Sequence, residues 1–409
     1  MKFISSRVSF YGWHKLMILK YINKLYLVQA YILLSLLMLC TNSILYGKCI
    51  LFMLILYLLN TNRYLLEDYK NRQNNMPNFI RVLFFIVIIA LLSYIVYPYE
   101  LNSLDLYLKY LAVPILWFIM PKLNVKILLK FWVLTSICML GLAIYQYHIL
   151  QIARPFGISH PIVFGNFAIA LALIFYANRN NLKIWFYIGF ISCLLTSFYT
   201  GSRGGWLALI IIIPNLLSLF KSLTIKRKIY ISIFSIIVCV LIINLPMVKQ
   251  RFIASYYEFY WMLLGNFDTS SGIRFSLWKQ SIIYLYNHPF GGGLDSFYTK
   301  IFLYSRNLGL LPKEALYLEL NHPHNDLLYF ATQFGFIGLF WYIILNKSIL
   351  RYFKNHHELY IKTSGIYFTL GYIIFSLTQA MFAHNRSVLF FCLILIQLSH
   401  CYYKENKNV

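Results

Sequence analysis

Arg203, in the glycine-rich stretch TGSRGGW (residues 200–206), is a side chain whose setting indicates chemistry on an anion. The planar guanidinium of arginine matches the oxygens of a phosphate group in bidentate fashion. Glycines beside it allow a ligand or another backbone segment to approach closely. The stretch therefore indicates an anion-binding arginine, and the alternative is an arginine that snorkels from the end of a membrane helix.

A second arginine, Arg274, stands near the start of the segment IRFSLWKQSIIYLYN (residues 273–287), whose apolar residues recur at helical spacing. An arginine in the first turn of a helix is unfavourable for the helix dipole. We therefore expect Arg274 to have a partner elsewhere, and the anion bound by Arg203 is one such partner. Solvation of Arg274 at the protein surface is the alternative.

A third group of reactive side chains lies in the stretch NHPHND (residues 321–326). Histidine can act as a base near neutral pH, which makes His322 and His324 candidate proton acceptors. A zinc site is the chemical rival, but a His-x-His pair without a distant cysteine or Glu-x-x-His partner matches no zinc pattern well. We therefore expect no metal, and a pair of hydrogen-bonded histidines at the membrane interface is the structural alternative.

The elements that must position these residues are membrane helices. The chain has 409 residues, of which 60% are hydrophobic and 12% are charged, whereas a soluble chain carries roughly a quarter charged residues. A soluble enzyme, a disordered protein and a collagen-like fibre are thereby excluded. The apolar stretches are long and do not alternate as in an outer-membrane barrel, so an all-α polytopic membrane protein is predicted.

About twelve apolar runs approach the roughly 20 residues that a membrane-spanning helix needs. They lie near residues 26–46, 49–60, 79–97, 106–121, 127–149, 160–177, 184–200, 204–220, 229–247, 325–345, 363–382 and 385–403. The second and the fourth are the shortest, and they are the weakest members of the set.

The distribution of basic residues predicts the orientation of the chain. The net charge is +24, and basic residues collect in the cytoplasmic loops of membrane proteins. With both termini in the cytoplasm, the short outer loops contain only Lys48, Arg154 and Arg203 as basic residues. Residues 1–409 then form a single membrane domain, and residues 248–324 form one long periplasmic loop of amphipathic helices between spans nine and ten.

The spacing of His324-Asn325, nine further residues, and then Gly335-Phe336-Ile337-Gly338 resembles the H-[NSQ]-x9-G-x-x-G signature of bacterial O-antigen ligases. Twelve spans with a long periplasmic loop between the ninth and the tenth are similar to that family too. Arg203 within SRGGW and Arg274 within GIR-x-x-x-W resemble its two arginine motifs, and residues 154–161 resemble a looser element. The resemblance covers roughly residues 150–345, and O-antigen polymerases share the superfamily.

The resemblance implies a glycosyltransferase that moves O-antigen glycan from undecaprenyl pyrophosphate to a sugar hydroxyl of lipid A–core. The reaction is expected at the periplasmic face of the bacterial inner membrane, with inversion and without metal, ATP or another cofactor. The expected partners are the lipid-linked donor, the lipid A–core acceptor and membrane lipid, with no nucleic acid. Arg203 and Arg274 would bind the pyrophosphate, and His324 would be the catalytic base, with Asp326 and Glu319 as rival bases. Further residues expected to line the site are Arg154, His160, His322, Asn325, Asp326 and Arg386.

Three other functions remain open on the sequence. An O-antigen polymerase would join repeat units on the same lipid carrier and could use the same arginines. Protein O-oligosaccharyltransferases resemble the chain but usually carry an extra soluble C-terminal region. A flippase or transporter usually places ionisable groups near the bilayer midplane, whereas the charged residues of the predicted spans lie near the span ends.

Overall fold

The computed structural model describes residues 76–98, 101–120, 122–157, 159–221 and 224–402. The predicted spans 26–46 and 49–60 lie outside these residues. The first half of the described chain contains α1 (Asn78–Val96), α2 (Asp105–Leu108), α3 (Ala112–Ile119), α4 (Val125–Ile144), α5 (Pro161–Ala177), α6 (Arg179–Leu182), α7 (Ile184–Thr200), α8 (Arg203–Leu207) and α9 (Ile213–Lys221). The second half contains α10 (Ile225–Ile243), α11 (Pro246–Leu263), α12 (Ser270–Asn287), α13 (Leu303–Asn307), α14 (Asp326–Lys354), α15 (Leu359–Thr378) and α16 (Asn385–Ser399).

Short 3-10 and π turns connect several of these helices, and strands are minor in the described residues. The 3-10 turns are Leu101–Leu104, Lys109–Leu111, Ala208–Ile212, Lys313–Tyr317 and Met381–Ala383, and the π turns are Tyr145–Ile149 and Phe297–Phe302. One short parallel pair joins β1 (Leu123–Asn124) to β2 (Cys401–Tyr402).

Helix α5 lies at the centre of the described bundle. Its residues from Val163 to Tyr176 are all buried, because it packs against α4, α7 and α15. A helix that is apolar all round belongs inside a bundle rather than at its surface. His160 accepts a hydrogen bond from the backbone N–H of Ile162 and caps α5, and Pro161 occupies the first helical position.

The described residues confirm the prediction of a helical protein with apolar helices of the kind that membrane proteins contain. Among the described residues, three helices are long and apolar enough to cross a membrane: α1, the continuous stretch Val125–Ile149 and α14. Shorter apolar helices are Pro161–Ala177, Ile184–Thr200, Arg203–Ser218 and Asn385–Ser399. Every predicted span from 79–97 onward overlaps helical structure, whereas the total of twelve spans and their orientation stay predictions.

Helix α14 contains a break at Gly335, where φ is +63° and ψ is −147°. The turn after α12 fills this break: Phe336 N–H donates to Pro289 O at 2.9 Å, and Gly292 and Gly293 donate to carbonyls of the broken turn at 3.0 and 2.9 Å. A Cβ on Gly335 would lie 2.0 Å from Pro289 O. Glycine is therefore required here by both the positive φ and the close approach.

The long loop forms helices and has a small core of its own. The helix predicted over residues 273–287 is observed as α12, which begins at Ser270 with Thr269 as its cap. Arg274 is thus in the second turn rather than the first, so its expected conflict with the helix dipole is weaker than the sequence suggested. Apolar side chains of α12 pack against the segment that follows it; the buried members are Ile273, Leu277, Phe297, Ile301, Phe302, Leu311 and Ala315.

Candidate active site

Four arginines line one pocket between the membrane helices and the long loop. They are Arg154, Arg203, Arg251 and Arg274. The other lining residues are Ile162, Gly201, Gly204, Ser270 and Thr378. The pocket therefore joins the start of α5, the turn between α7 and α8, helices α11 and α12, and the end of α15.

The glycine-rich stretch holds Arg203 at this pocket by close backbone packing. Gly201 ends α7 with φ +64°, and α8 begins at Arg203. A Cβ on Gly204 would lie 2.2 Å from Thr378 Oγ1, and one on Gly205 would lie 2.9 Å from Asn166 Oδ1. These glycines thus let the turn lie directly against α5 and α15.

Arg203 is held by a carboxylate of α11. Its Nη1 donates to Ser255 Oγ at 2.7 Å, and its Nη2 donates to the Glu258 oxygens at 2.9 and 3.3 Å. Ser271 also donates to Glu258. Burial alone would raise the pKa of Glu258, but the hydrogen bonds from Arg203 and Ser271 outweigh it and leave this pKa below the ordinary value.

The other three arginines carry positive charge that the protein balances only in part. Burial lowers the pKa of Arg154 to about 10, and the charges of Arg251, Arg203 and Arg274 act in the same direction. Burial and the Arg203 charge also lower the pKa of Arg274, whose buried Nε has no hydrogen-bond partner among the residues that the structure describes. Withdrawing cations from water without a full set of counter-charges is costly, and these three arginines are half-buried, so this pocket favours an anion.

Four histidines form a cluster beside the arginine pocket. His322 and His324 make edge-to-face contact at 4.5 Å between ring centroids, and His322 contacts His384 at 5.1 Å. His160 stacks on His384 at 6.1 Å. His324 has φ +54°, a conformation that is uncommon for residues other than glycine and that often marks a functional site.

An amide links two of these rings. His324 Nδ1 lies 2.8 Å from Gln379 Oε1, and Gln379 Nε2 lies 2.8 Å from His384 Nε2. Burial lowers the pKa of His324 to about 4, and the charge of Arg274 adds to this effect. Burial also lowers the pKa of His384 to about 4. The cluster is therefore neutral at pH 7, and His324 is in the form that can accept a proton.

The two clusters adjoin each other. Thr378 lines the arginine pocket, and the next residue, Gln379, binds His324. Trp278 of α12 donates to Pro323 O at 2.8 Å, so the helix that carries Arg274 is bonded to the stretch that carries His324. The site can thus hold an anion and a neutral base side by side.

The residues that flank His324 in sequence have structural contacts. Asp326 is fully buried and accepts hydrogen bonds from Ser376 and from the backbone N–H groups of Met381 and Phe382 at 3.1 and 2.9 Å. It thereby ties the start of α14 to the turn after α15. Asn325 caps α14 through Leu328 N at 3.2 Å.

Two of the remaining predicted residues, Glu319 and Arg386, belong to neither the arginine pocket nor the histidine cluster. Glu319 is exposed on the loop. Arg386 is half-buried at the start of α16 and does not line the arginine pocket. In the described part of the chain, no group of three or more His, Cys, Asp or Glu side chains is arranged to hold a metal ion.

The structure thus brings together Arg154, Arg203 and Arg274 in one pocket and His160, His322 and His324 in the adjoining cluster. Sequence reasoning missed four residues of the site: Arg251, Glu258, Gln379 and His384. Only His384 had a local signal, because it directly precedes Asn385 and Arg386 on the same predicted outer turn.

Two comparisons with known proteins bear on this site. Residues 188–343 match the family model described as O-antigen ligase; the range includes both arginine motifs, His324 and Gly335. A Haemophilus influenzae protein, described as an uncharacterized protein, is 28% identical in an alignment of 276 positions that covers 61% of this chain. The aligned region spans 66% of that relative's length.

Proposed function

We propose that the chain, of which residues 188–343 match the family model described as O-antigen ligase, transfers a glycan from undecaprenyl pyrophosphate to a sugar hydroxyl of lipid A–core. The reaction takes place at the periplasmic face of the inner membrane, with both termini of the chain in the cytoplasm. The observation that carries the proposal is the four-arginine pocket adjoining a neutral histidine.

The donor binds through its pyrophosphate. Arg203 and Arg274, with Arg154 and Arg251 beside them, supply guanidinium N–H groups to the phosphate oxygens. Arginine suits this task because its fork of donors matches phosphate geometry. Apolar helices surround the pocket, which supports binding of a pyrophosphate whose polyprenyl chain remains in lipid.

His324 acts as the base. As the acceptor oxygen attacks the anomeric carbon, its proton passes to His324 Nε2, and the bond between the anomeric carbon and the phosphate oxygen breaks. One displacement inverts the anomeric centre. The leaving pyrophosphate gains negative charge, which the preorganised arginines stabilise. General-base catalysis of this kind contributes about 10²–10⁴-fold to the rate.

The test is reconstitution of the full chain in nanodiscs with undecaprenyl-pyrophosphate-linked O-antigen and lipid A–core. We expect ladder bands on lipid A–core, resolved by gel electrophoresis. His324→Ala should abolish them, whereas His357→Ala, which changes an exposed histidine after α14, should not. Both variants should insert in the membrane at the wild-type level.

The proposal is overturned by two results. If the wild-type protein lengthens glycan on the lipid carrier and leaves lipid A–core bare, it is a polymerase. If His324→Ala transfers glycan at the full rate, the base has been assigned to the wrong residue. A strain that lacks the gene separates ligase from polymerase independently, because loss of a ligase strands long polymer on the carrier.

A further inference from the structure

Gln379 stands between two histidines at the end of α15 and is 1% exposed. Its Oε1 lies 2.8 Å from His324 Nδ1, and its Nε2 lies 2.8 Å from His384 Nε2. An amide oxygen can only accept a hydrogen bond and an amide nitrogen can only donate one. With Gln379 in this orientation, His324 Nδ1 carries a proton and His384 Nε2 carries none.

We infer that Gln379 is a positioning residue that holds His324 in its Nδ1–H tautomer and so leaves the Nε2 lone pair free for the acceptor hydroxyl. This inference deepens the proposed function and rests on it, because the proton that Nε2 receives belongs to that reaction. Gln379 acts on the proposed reaction through His324.

The same amide orientation serves both states of the base. Before transfer, His324 Nδ1–H donates to Gln379 Oε1. After transfer, the imidazolium has N–H groups at both nitrogens, and the bond from Nδ1 to Oε1 strengthens because its donor is charged. The opposite amide orientation would place an N–H group against the imidazolium N–H, so it would oppose proton transfer.

Charged and titratable groups around His324 do not replace this control. Arg274 of α12 lowers the pKa of His324, as does His160 before α5. His322 precedes it on the same loop, and His384 lies beyond Gln379 before α16. Together with burial, these groups keep the ring neutral. What remains to be fixed is which nitrogen of the neutral ring has the proton, and only Gln379 hydrogen-bonds a His324 ring nitrogen in the described structure.

The tautomer can be measured without any turnover. Full-length protein in nanodiscs, labelled with ¹⁵N-histidine, is studied by solid-state NMR at pH 7, where the two ring nitrogens of a neutral imidazole differ widely in chemical shift. The spectrum of His324→Gln assigns the His324 signals by difference. We expect the Nδ1–H tautomer in the wild type and a mixture of both tautomers in Gln379→Leu. An Nε2–H tautomer in the wild type overturns the inference.

Kinetics provides a second test, because a purely structural role of Gln379 would not shift the pH profile. Gln379→Leu should lower kcat by about 10–100-fold, in line with the loss of groups that orient functional histidines, with the donor KM within about twofold of the wild type. Gln379→Glu keeps an acceptor for Nδ1–H, so kcat should recover most of this loss. Its carboxylate also favours the imidazolium, so the acidic limb of the pH profile should move to higher pH.

Gln397→Leu, which changes a buried glutamine near the far end of α16, is the matched control and should leave kcat unchanged. Full kcat in Gln379→Leu, or an unshifted acidic limb in Gln379→Glu, overturns the inference. Its failure is distinguishable from failure of the proposed function: a wild-type protein with the Nδ1–H tautomer that transfers no glycan refutes the function, whereas an active wild type with the Nε2–H tautomer refutes the inference alone.

Discussion

Acidification to pH 5.5 should leave transfer almost unchanged, although an ordinary histidine base would be lost there. Burial and the Arg274 charge lower the pKa of His324 to about 4. The ring is therefore neutral in about 97% of the molecules at pH 5.5, compared with about 9% for the unperturbed pKa of about 6.5. The base must be neutral to accept a proton. The structure thus predicts activity roughly 10-fold higher at pH 5.5 than a normal histidine would allow.

The assay is kcat/KM for the lipid-linked donor, measured from pH 4 to pH 8, because this ratio reports the pKa of the free enzyme. We expect a plateau from pH 8 to about 5 and a decline only as the pH approaches about 4. A decline centred near pH 6.5 would refute the assignment of a buried, desolvated His324 as the base.

Folding must be monitored in the same experiment because the histidine cluster couples it to pH. His322, His324 and His384 have lowered pKa values in the folded protein, so the unfolded chain binds more protons between those values and about 6.5. The contribution of these histidines to the free energy of unfolding is therefore fully present above about pH 6.5. It is lost as the pH falls through this window. The melting temperature at each pH separates unfolding from protonation of the base.

Three further predictions concern single residues. Arg251→Ala should raise the donor KM by about 10–100-fold, since a hydrogen bond to a charged group contributes about 1.5–3 kcal/mol; a KM equal to that of the wild type would exclude Arg251 from the phosphate site. Asp326→Ala should lower the yield of folded protein, judged by size-exclusion chromatography, while the folded fraction keeps its kcat, because Asp326 bonds α14 to the turn after α15. Gly335→Ala should prevent folding, since strain at its positive φ alone costs about 1–3 kcal/mol and the new Cβ meets Pro289 O; Gly141→Ala, with no atom within 4 Å of the new Cβ, should fold normally.

The helices were predictable because their signal is local. Apolar runs and the helical spacing of residues 273–287 lie within the segments that they describe, and α12 formed where this spacing predicted it. The break in α14 could not be predicted from the local sequence. Gly335 stands in an apolar run that could continue as a helix, and what stops it is the turn at Pro289, which is remote in sequence.

The partners in the site could not be predicted from the sequence. Arg203 and Glu258 are separated by 55 positions, and so are His324 and Gln379. Each pair meets only because of how the helices pack. Asp326 illustrates the converse: next to a candidate base in sequence, it has the chemistry of a rival base, yet its oxygens are bonded to Ser376 and to the backbone of the next turn.

The net positive charge of the arginine pocket matches the negative charge of the leaving pyrophosphate better than that of the intact glycan donor. Four guanidinium groups of the pocket face one carboxylate, Glu258, which leaves three positive charges. A pyrophosphate joined to both lipid and sugar carries about two negative charges, and its leaving group carries about one more. Binding that improves as charge develops lowers the barrier, whereas binding that is already complete with the donor does not. Glu258 is then a useful part of the site: without it, a fourth uncompensated arginine would hold the departing pyrophosphate more tightly and slow its release.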